Sequence, residues 1–434
     1  MKQSNDNIDN SSGKSNDAGY DGEDHHSLQQ RRLKTQVDII LSELEGAVVY
    51  PPEESAEMEY VYRDGRILVR DVDLPRVQEV VGGRVVEPLI NGVSALAPGD
   101  DFNTQTALQA IDAALGINIG HPDHAVWIVP ASACPATEPN PVPHPNPDPA
   151  VRRDRCCDGT GAFVSVVDTG YIAALADPQH GWLAGVTGDP EAYDPNDIGP
   201  YVGHGTFVAG VLRCMAPGAD VRVEGFLTHG GAIYESEIVQ QLNDSLDDMP
   251  DIISMSAGCT TRNNLPLLGF QVLWEQRLQY LKGTAVVVAA GNDRSRKPFW
   301  PAAFPWAVSV GALERDGSRA RFSNFGSWVD VYALGGNVVN AYPNGTYRYR
   351  EPPESDNGKV AQFVNAMSEW SGTSFSTPLV AGIIAARMSH TGESGRQAAD
   401  AVLRIARSHA EPGIGAIAEP GMACDPDPGC GCRD

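Results

Sequence analysis

The chain has 434 residues, 42% of them hydrophobic, enough for a sizeable core and, at roughly 150 residues per domain, for two or three domains. Its 32 Lys and Arg against 56 Asp and Glu give a formal charge of −24, so the basic footprint of a phosphate-backbone binder is lacking and an anionic lipid surface is disfavoured. No stretch reaches the ~18 consecutive apolar residues of a membrane span, so neither nucleic acid nor a membrane is expected as a partner.

Residues 1–35 are rich in Asn, Ser, Asp and Gly and read as a disordered terminus. They lack the basic start and apolar core of a secretory signal. The expectation is therefore a cytoplasmic protein, with export by an unrecognised route as the alternative. Residues 36–131 read as a small α/β domain. Tyr60-Val61-Tyr62 and Ile67-Leu68-Val69 flank Asp64-Gly65, a hairpin signal. A short helix is predicted over 74–81 and a strand over 84–95. A helix over 104–115 follows, with Thr104 as cap and Leu108, Ile111, Ala114 and Leu115 on one face. A closing strand is predicted over 125–129.

Residues 132–157 form a Pro-rich, semi-rigid linker ending in Arg152-Arg153-Asp154-Arg155, which is either a solvated face or a protease-accessible junction. From 158 to 408 short β-branched runs alternate with helical segments. The strands predicted over 162–167, 221–226, 252–255, 285–289 and 307–310 are mostly apolar on both faces, as in a parallel sheet covered by helices. Residues 409–434 are Gly/Pro/Cys-rich and read as irregular. The eight cysteines (Cys134, Cys156, Cys157, Cys214, Cys259, Cys424, Cys430 and Cys432) permit disulfides, while a cytosolic setting favours free thiols. Metal ligation by the last three ranks behind both.

Four segments place a reactive side chain beside glycine at the end of an element. Asp168 closes an apolar run and precedes Thr169-Gly170, where it either caps a turn or serves a site at the carboxyl end of a strand. His204 lies in Gly203-His204-Gly205-Thr206 and reads as structural or as a base. Ser374, in Gly372-Thr373-Ser374, opens a helix with Pro378 in its first turn, as an ordinary cap or as a hydroxyl near helix N–H groups. Asn292 follows Ala290-Gly291 as a turn residue or as an oxyanion donor. Taken together, an acid, a base, a hydroxyl and an amide are what acyl transfer requires. Asp293 reads first as a solvated turn residue and second as a charge that would draw a basic substrate side chain.

In that order of motifs, Asp168-Thr-Gly, Gly203-His204-Gly-Thr and Gly372-Thr-Ser374 with Pro378, the chain resembles the subtilisin-like serine proteases of the subtilase family over about residues 160–408. Ala290-Gly291-Asn292 resembles the family's oxyanion segment. Ser254-Met255-Ser256-Ala257-Gly258 resembles its substrate-pairing strand, which also walls the primary specificity pocket. The segments 300–312 and 321–326 resemble family stretches too. The resemblance implies an α/β fold: a three-layer subtilisin-like domain with a central, mostly parallel sheet, preceded by a small propeptide-like α/β domain. It implies a serine endopeptidase acting on protein or peptide substrates without a cofactor. The triad would be Asp168, His204 and Ser374, the oxyanion donor Asn292, and the substrate-binding residues Ser256, Ala257, Gly258, Ala290 and Gly291. Residues 58–131 resemble a propeptide, so the chain's own N-terminal domain would be an intramolecular inhibitor, cleaved between about Ala131 and Arg155. Phe207 and Leu379 stand where the family often has His. The run from Val211 to Ala216-Pro217 lacks the loop of calcium-binding members, so no metal is expected, although Asp177 keeps the spacing of one of their ligands. The alternatives are a dedicated self-cleaving or peptide-maturation protease and a non-catalytic binding protein on the same fold.

Overall fold

A computed structural model describes residues 25–52, 58–128, 138–144 and 146–424. The chain opens with helix α1, His25–Glu43. This corrects the expectation of disorder through residue 35. Leu33, Val37, Ile40 and Leu44 recur at helical spacing, and the last three are buried. Strands β1 (Ala47–Tyr50) and β2 (Tyr60–Arg70) follow. The hairpin predicted at Asp64-Gly65 is instead a bulge inside one continuous β2, where the register to its neighbour shifts between Arg63 and Ile67. Thr104 holds that bulge, donating to Asp64 Oδ1 at 2.7 Å and accepting from Gly65 N at 2.7 Å.

Helix α2 (Leu74–Val81) lies where expected. The strand predicted over 84–95 is two strands, β3 (Arg84–Ile90) and β4 (Val93–Ala97), paired antiparallel across Asn91-Gly92. Helix α3 (Thr104–Leu115) is capped by Asn103, not Thr104, through a reciprocal capping box with Thr106. Strand β5 (Gly120–Ile128) closes the unit. Residue 129, the expected end of that strand, lies outside the described residues, as does much of the predicted linker. One face of this antiparallel sheet packs Ile67, Val69 and Leu96 against α2 and α3. The other face presents Val61, Leu68, Val93 and Ala95 to the larger unit that follows.

The larger unit runs β6 (Asn140–Pro141), β7 (Phe163–Asp168), β8 (Thr187–Gly188), α4 (His204–Met215), β9 (Asp220–Gly225), β10 (Ala232–Tyr234), α5 (Glu235–Ser245), β11 (Ile252–Met255), β12 (Ala257–Gly258), α6 (Leu268–Gln276), β13 (Ala285–Ala289), β14 (Val308–Leu313), β15 (Val331–Leu334), β16 (Val338–Ala341), β17 (Gly345–Arg348), β18 (Val360–Phe363), β19 (Met367–Trp370), α7 (Thr373–Thr391) and α8 (Gly395–Ser408). Its central seven-stranded sheet has the order β15-β14-β13-β11-β7-β9-β8, and every pairing is parallel. Successive residues alternate between two cores. Ile252 and Val287 face α4, α7 and α8, whereas Ile253, Val286 and Val288 face α5 and α6. That alternation makes three layers and accounts for the uniformly apolar strands.

The chain after 408 is not a free tail as far as Cys424. Tyr332 bridges Ile417, and a disulfide joins Cys424 to Cys157. Cys214 and Cys259 are buried free thiols. Among the described residues no helix is long and apolar enough to cross a membrane.

Candidate active site

The carboxyl end of β7 delivers Asp168, fully buried, into the crevice of the parallel sheet. Its Oδ1 accepts Thr169 N at 2.9 Å and pairs with His204 Nδ1 at 2.7 Å. A carboxylate oxygen can only accept, so Nδ1 carries the hydrogen and Nε2 is left as the basic nitrogen. His204 is the first residue of α4. The preceding Gly203 has φ 82°, a left-handed turn that glycine adopts without strain. Gly205 lets the helix start lie against the turn after β7, because a Cβ there would fall 2.3 Å from the Gly170 carbonyl oxygen. Trp370 packs edge-on to the imidazole at 5.3 Å and Phe375 lies at 5.4 Å. Phe207 and Leu379 are buried packing residues, and the Phe207 ring lies tilted against Phe375 at 4.6 Å.

Ser374 is the second residue of α7, and Pro378 lies inside that helix, beyond its first turn. Proline has no N–H, so the Ser374 carbonyl loses its helical donor four residues on. Ser256 Oγ donates to that carbonyl instead, at 3.0 Å. Ser256, expected to bind substrate, thus positions the candidate nucleophile. On the other side of α7, Asn292 Oδ1 accepts from both Thr373 N and Thr373 Oγ1 at 2.9 Å. Two donors on one atom identify it as the oxygen, which assigns Nδ2 to the opposite edge of the carboxamide. Gly291 N donates to Thr373 Oγ1 at 3.2 Å. The sequence expectation of four reactive groups meets here: His204, Ser374 and Asn292 line one cavity, with Asp168 behind the imidazole.

The subtilase family model matches residues 159–415. The chain belongs to the subtilase family. Among curated subtilase relatives, a thermophilic serine proteinase from Bacillus sp. (strain AK1) is 29% identical over 236 residues, covering 52% of this chain and 52% of that protein. Thermitase from Thermoactinomyces vulgaris is 30% identical over 239 residues, covering 52% of this chain and 74% of that protein. The chain thus spans about half the length of the first of these two relatives. The solved structure of fervidolysin from Fervidobacterium pennivorans, a keratinolytic enzyme related to subtilisin, superposes on 83% of this chain and 61% of its own with a TM-score of 0.54 at 17% identity, a likeness of fold.

In this subtilase the cleft beside Ser374 already holds a strand. β5 of the N-terminal unit lies between β10 and β12, antiparallel to both, with Trp127 opposite Ala232 and Gly258 and with Ile128 opposite Ala257. Ala257 and Gly258, which the resemblance assigns to substrate, pair here with the extended backbone of β5. Ala290 and Gly291 follow the end of β13 and carry the chain to Asn292. The N-terminal unit docks further through Arg70, bidentate to Glu275 at 2.7 and 2.8 Å, and through Arg262 to Asp112 at 2.8 Å. Between the two units, burial pushes Asp123 up to about 7 and Glu235 up to about 8, and holds His121 and His124 down at about 3.

Several residues in the cavity were not anticipated from sequence. Gln36 and Ile39 of α1 reach it, and Gln36 donates to the Tyr201 hydroxyl. Glu138, at the end of the undescribed linker stretch, accepts from the Tyr347 hydroxyl at 2.9 Å, Arg350 N at 2.7 Å and Glu351 N at 3.0 Å. Burial, followed by the Glu138 charge, raises Glu351 to about 8. Tyr347, Arg350, Glu351 and Trp370, from the segment 337–370, thus line the cavity. Near Thr169 and Asp168, burial raises Glu191 to about 8, and its carboxyl accepts Gly203 N at 3.1 Å. The only signal for α1 was its Leu33-Val37-Ile40-Leu44 stripe, and nothing in the sequence marked Glu138.

Asp177, the candidate calcium ligand, caps a short 3-10 turn. Its Oδ1 accepts Gln179 N at 2.8 Å and His180 N at 3.0 Å, and lies 2.9 Å from His180 Nδ1. The one cluster of potential metal ligands among the described residues is Asp154, Cys157 and Cys424, in which the two sulfurs are joined as a disulfide.

Proposed function

We propose that this chain is a serine endopeptidase made as a self-processing precursor. His204 Nε2 takes the proton of Ser374 Oγ as that oxygen attacks the substrate carbonyl carbon. Asp168 holds the imidazole and stabilises the imidazolium. The carbonyl oxygen, now negative, is received by Asn292 Nδ2 and the Ser374 backbone N–H at the start of α7. His204 then returns the proton to the leaving amine as the C–N bond breaks. Water repeats the sequence in reverse to release the acid.

The observation that carries this reading is the 2.7 Å His204–Asp168 pair opening on the cavity that also contains Ser374 and Asn292. Fluorophosphonate labelling and peptide hydrolysis by the purified protein should both vanish in Ser374→Ala. Hydrolysis that survives the substitution refutes the assignment. The strand β5 lying in the cleft supports the precursor reading and an inhibitory N-terminal unit. Mass spectrometry of freshly purified wild type and Ser374→Ala tests it. Cleavage between about Ala131 and Arg155 is expected in the wild type alone, and an uncut, fully active chain overturns it. Profiling on a random peptide library separates a general protease from a dedicated one.

A further inference from the structure

The catalytic serine stands at the mouth of a slot between two chain ends. β11 and β13 are parallel neighbours, paired from Ile252 with Ala285 to Met255 with Val288. Beyond the paired stretch they continue as Ser256-Ala257-Gly258 and Ala290-Gly291-Asn292. α7 is fastened to both, through Ser256 Oγ on the Ser374 carbonyl and Asn292 Oδ1 on Thr373. A peptide whose backbone pairs with β12, as β5 does, and whose reacting carbonyl sits between Ser374 and Asn292 has the side chain of its acyl-side residue bracketed by these two ends. The slot is that side chain's seat.

Phe299 fills it. A Cβ built on Gly258 would fall 2.3 Å from Phe299 Cε1, and one built on Gly291 would fall 3.2 Å from Phe299 Cγ. The ring therefore reaches from one wall to the other; Gly258 must be glycine to admit it, while at Gly291 a Cβ is excluded first by Asn324 Nδ2 at 2.2 Å and by a φ of 102°. The ring is 1% exposed and packs with Ala289 and Trp328. The backbone next to it is pinned, because Cys259 and Trp300 exchange hydrogen bonds of 2.8 and 2.9 Å. A large incoming side chain has to displace a packed aromatic ring held on three sides, whereas glycine, alanine or serine does not.

We propose that Phe299 closes the side-chain seat on the acyl side of the scissile bond, so that this enzyme cuts after small residues. The inference rests on the proteolytic reading above and names its substrate class. The chain's own sequence offers such sites soon after β5, at Ala131, Ser132 and Ala133.

The test uses the full-length protein and peptide p-nitroanilides that differ only in the last residue, alanine against leucine, phenylalanine and lysine. A pocket that excludes extra methylenes discriminates by roughly 10–200-fold, so kcat/KM should favour alanine over phenylalanine by about 100-fold. The ratio should invert in Phe299→Gly, and Phe299→Val should fall between the two if the larger truncation fails to fold by thermal melting. The same pair presented as peptidyl phosphonates reads the seat from labelling rates where turnover is slow. Wild-type preference for phenylalanine or leucine, or an unchanged ratio in a folded Phe299 variant, overturns the proposal while leaving the protease assignment intact. Absence of all hydrolysis and all phosphonate labelling overturns both.

Discussion

Ser256→Ala tests the link between a proline and the catalytic helix. The Ser374 carbonyl is an unusual helical acceptor: it is buried, its i+4 partner is Pro378, and its donor is a serine 118 positions away in sequence. Removing the Ser256 hydroxyl leaves that carbonyl unsatisfied at a site where Ser374 is 2% exposed. Stranding a buried acceptor costs about 1–3 kcal/mol. Each kcal/mol moves the melting point of a domain of about 150–250 residues by ~2–4 °C, so a fall of roughly 2–12 °C is expected. Pro378→Ala restores an N–H at the right place. In that background Ser256→Ala should therefore cost less, giving a coupling of about 1–2 kcal/mol in a double-mutant cycle. Melting of the four proteins, each carrying Ser374→Ala to prevent self-cleavage, measures it. Equal costs for Ser256→Ala with and without Pro378 would refute the account.

Asn292→Ala strands the buried Thr373 N–H, so it should lower the melting point, and it should lower kcat of the folded protein by about 10²–10³, the usual cost of one oxyanion donor; a stopped assay on any cleaved peptide, run below the melting point, reads it. Docking of the N-terminal unit should depend on pH in both directions. Asp123 and Glu235 have pKa values raised to about 7 and 8, so their contribution is full below their unfolded values of 3.8 and 4.5 and is lost as pH rises through 7 to 8. His121 and His124 are held at about 3, so their contribution is present above 6.5 and is lost as pH falls towards 3. Limited proteolysis of the Ser374→Ala protein should show the N-terminal unit most protected on a plateau between the unfolded carboxyl value of 4.5 and the unfolded imidazole value of 6.5, and less protected both towards pH 3 and towards pH 8; flat protection across the range contradicts this. EDTA should leave the melting point unmoved, because α4 runs unbroken to Met215 and Asp177 spends its oxygen on His180 and Gln179. A site saturated at ~100 times its dissociation constant would add about 2.7 kcal/mol, and a fall reversed by calcium would disprove the expectation.

The reactive groups were legible because Asp168, His204, Asn292 and Ser374 each sit beside glycine at the end of a recognisable element. The parallel sheet was legible from apolar runs alone. Asp64-Gly65 misled because the same dipeptide serves a tight turn or a bulge, and the choice is made by a distant hydroxyl, that of Thr104. Asn91-Gly92 carried the true hairpin signal inside a stretch read as one strand. The role of Ser256 required knowing which helical donor Pro378 had removed. The position of Phe299 between two glycines depends on the packing of three separated segments, and no local pattern encodes that.

The slot between β10 and β12 has one further consequence. Both of its edges offer amides and carbonyls, so it selects an incoming chain by conformation before composition. A segment already wound into a helix or locked in its own sheet has its hydrogen bonds committed and cannot enter until it opens. For a folded target, the frequency of that local opening, set by the target and not by the protease, would then govern how fast it is cut. Loops and frayed ends would be consumed first.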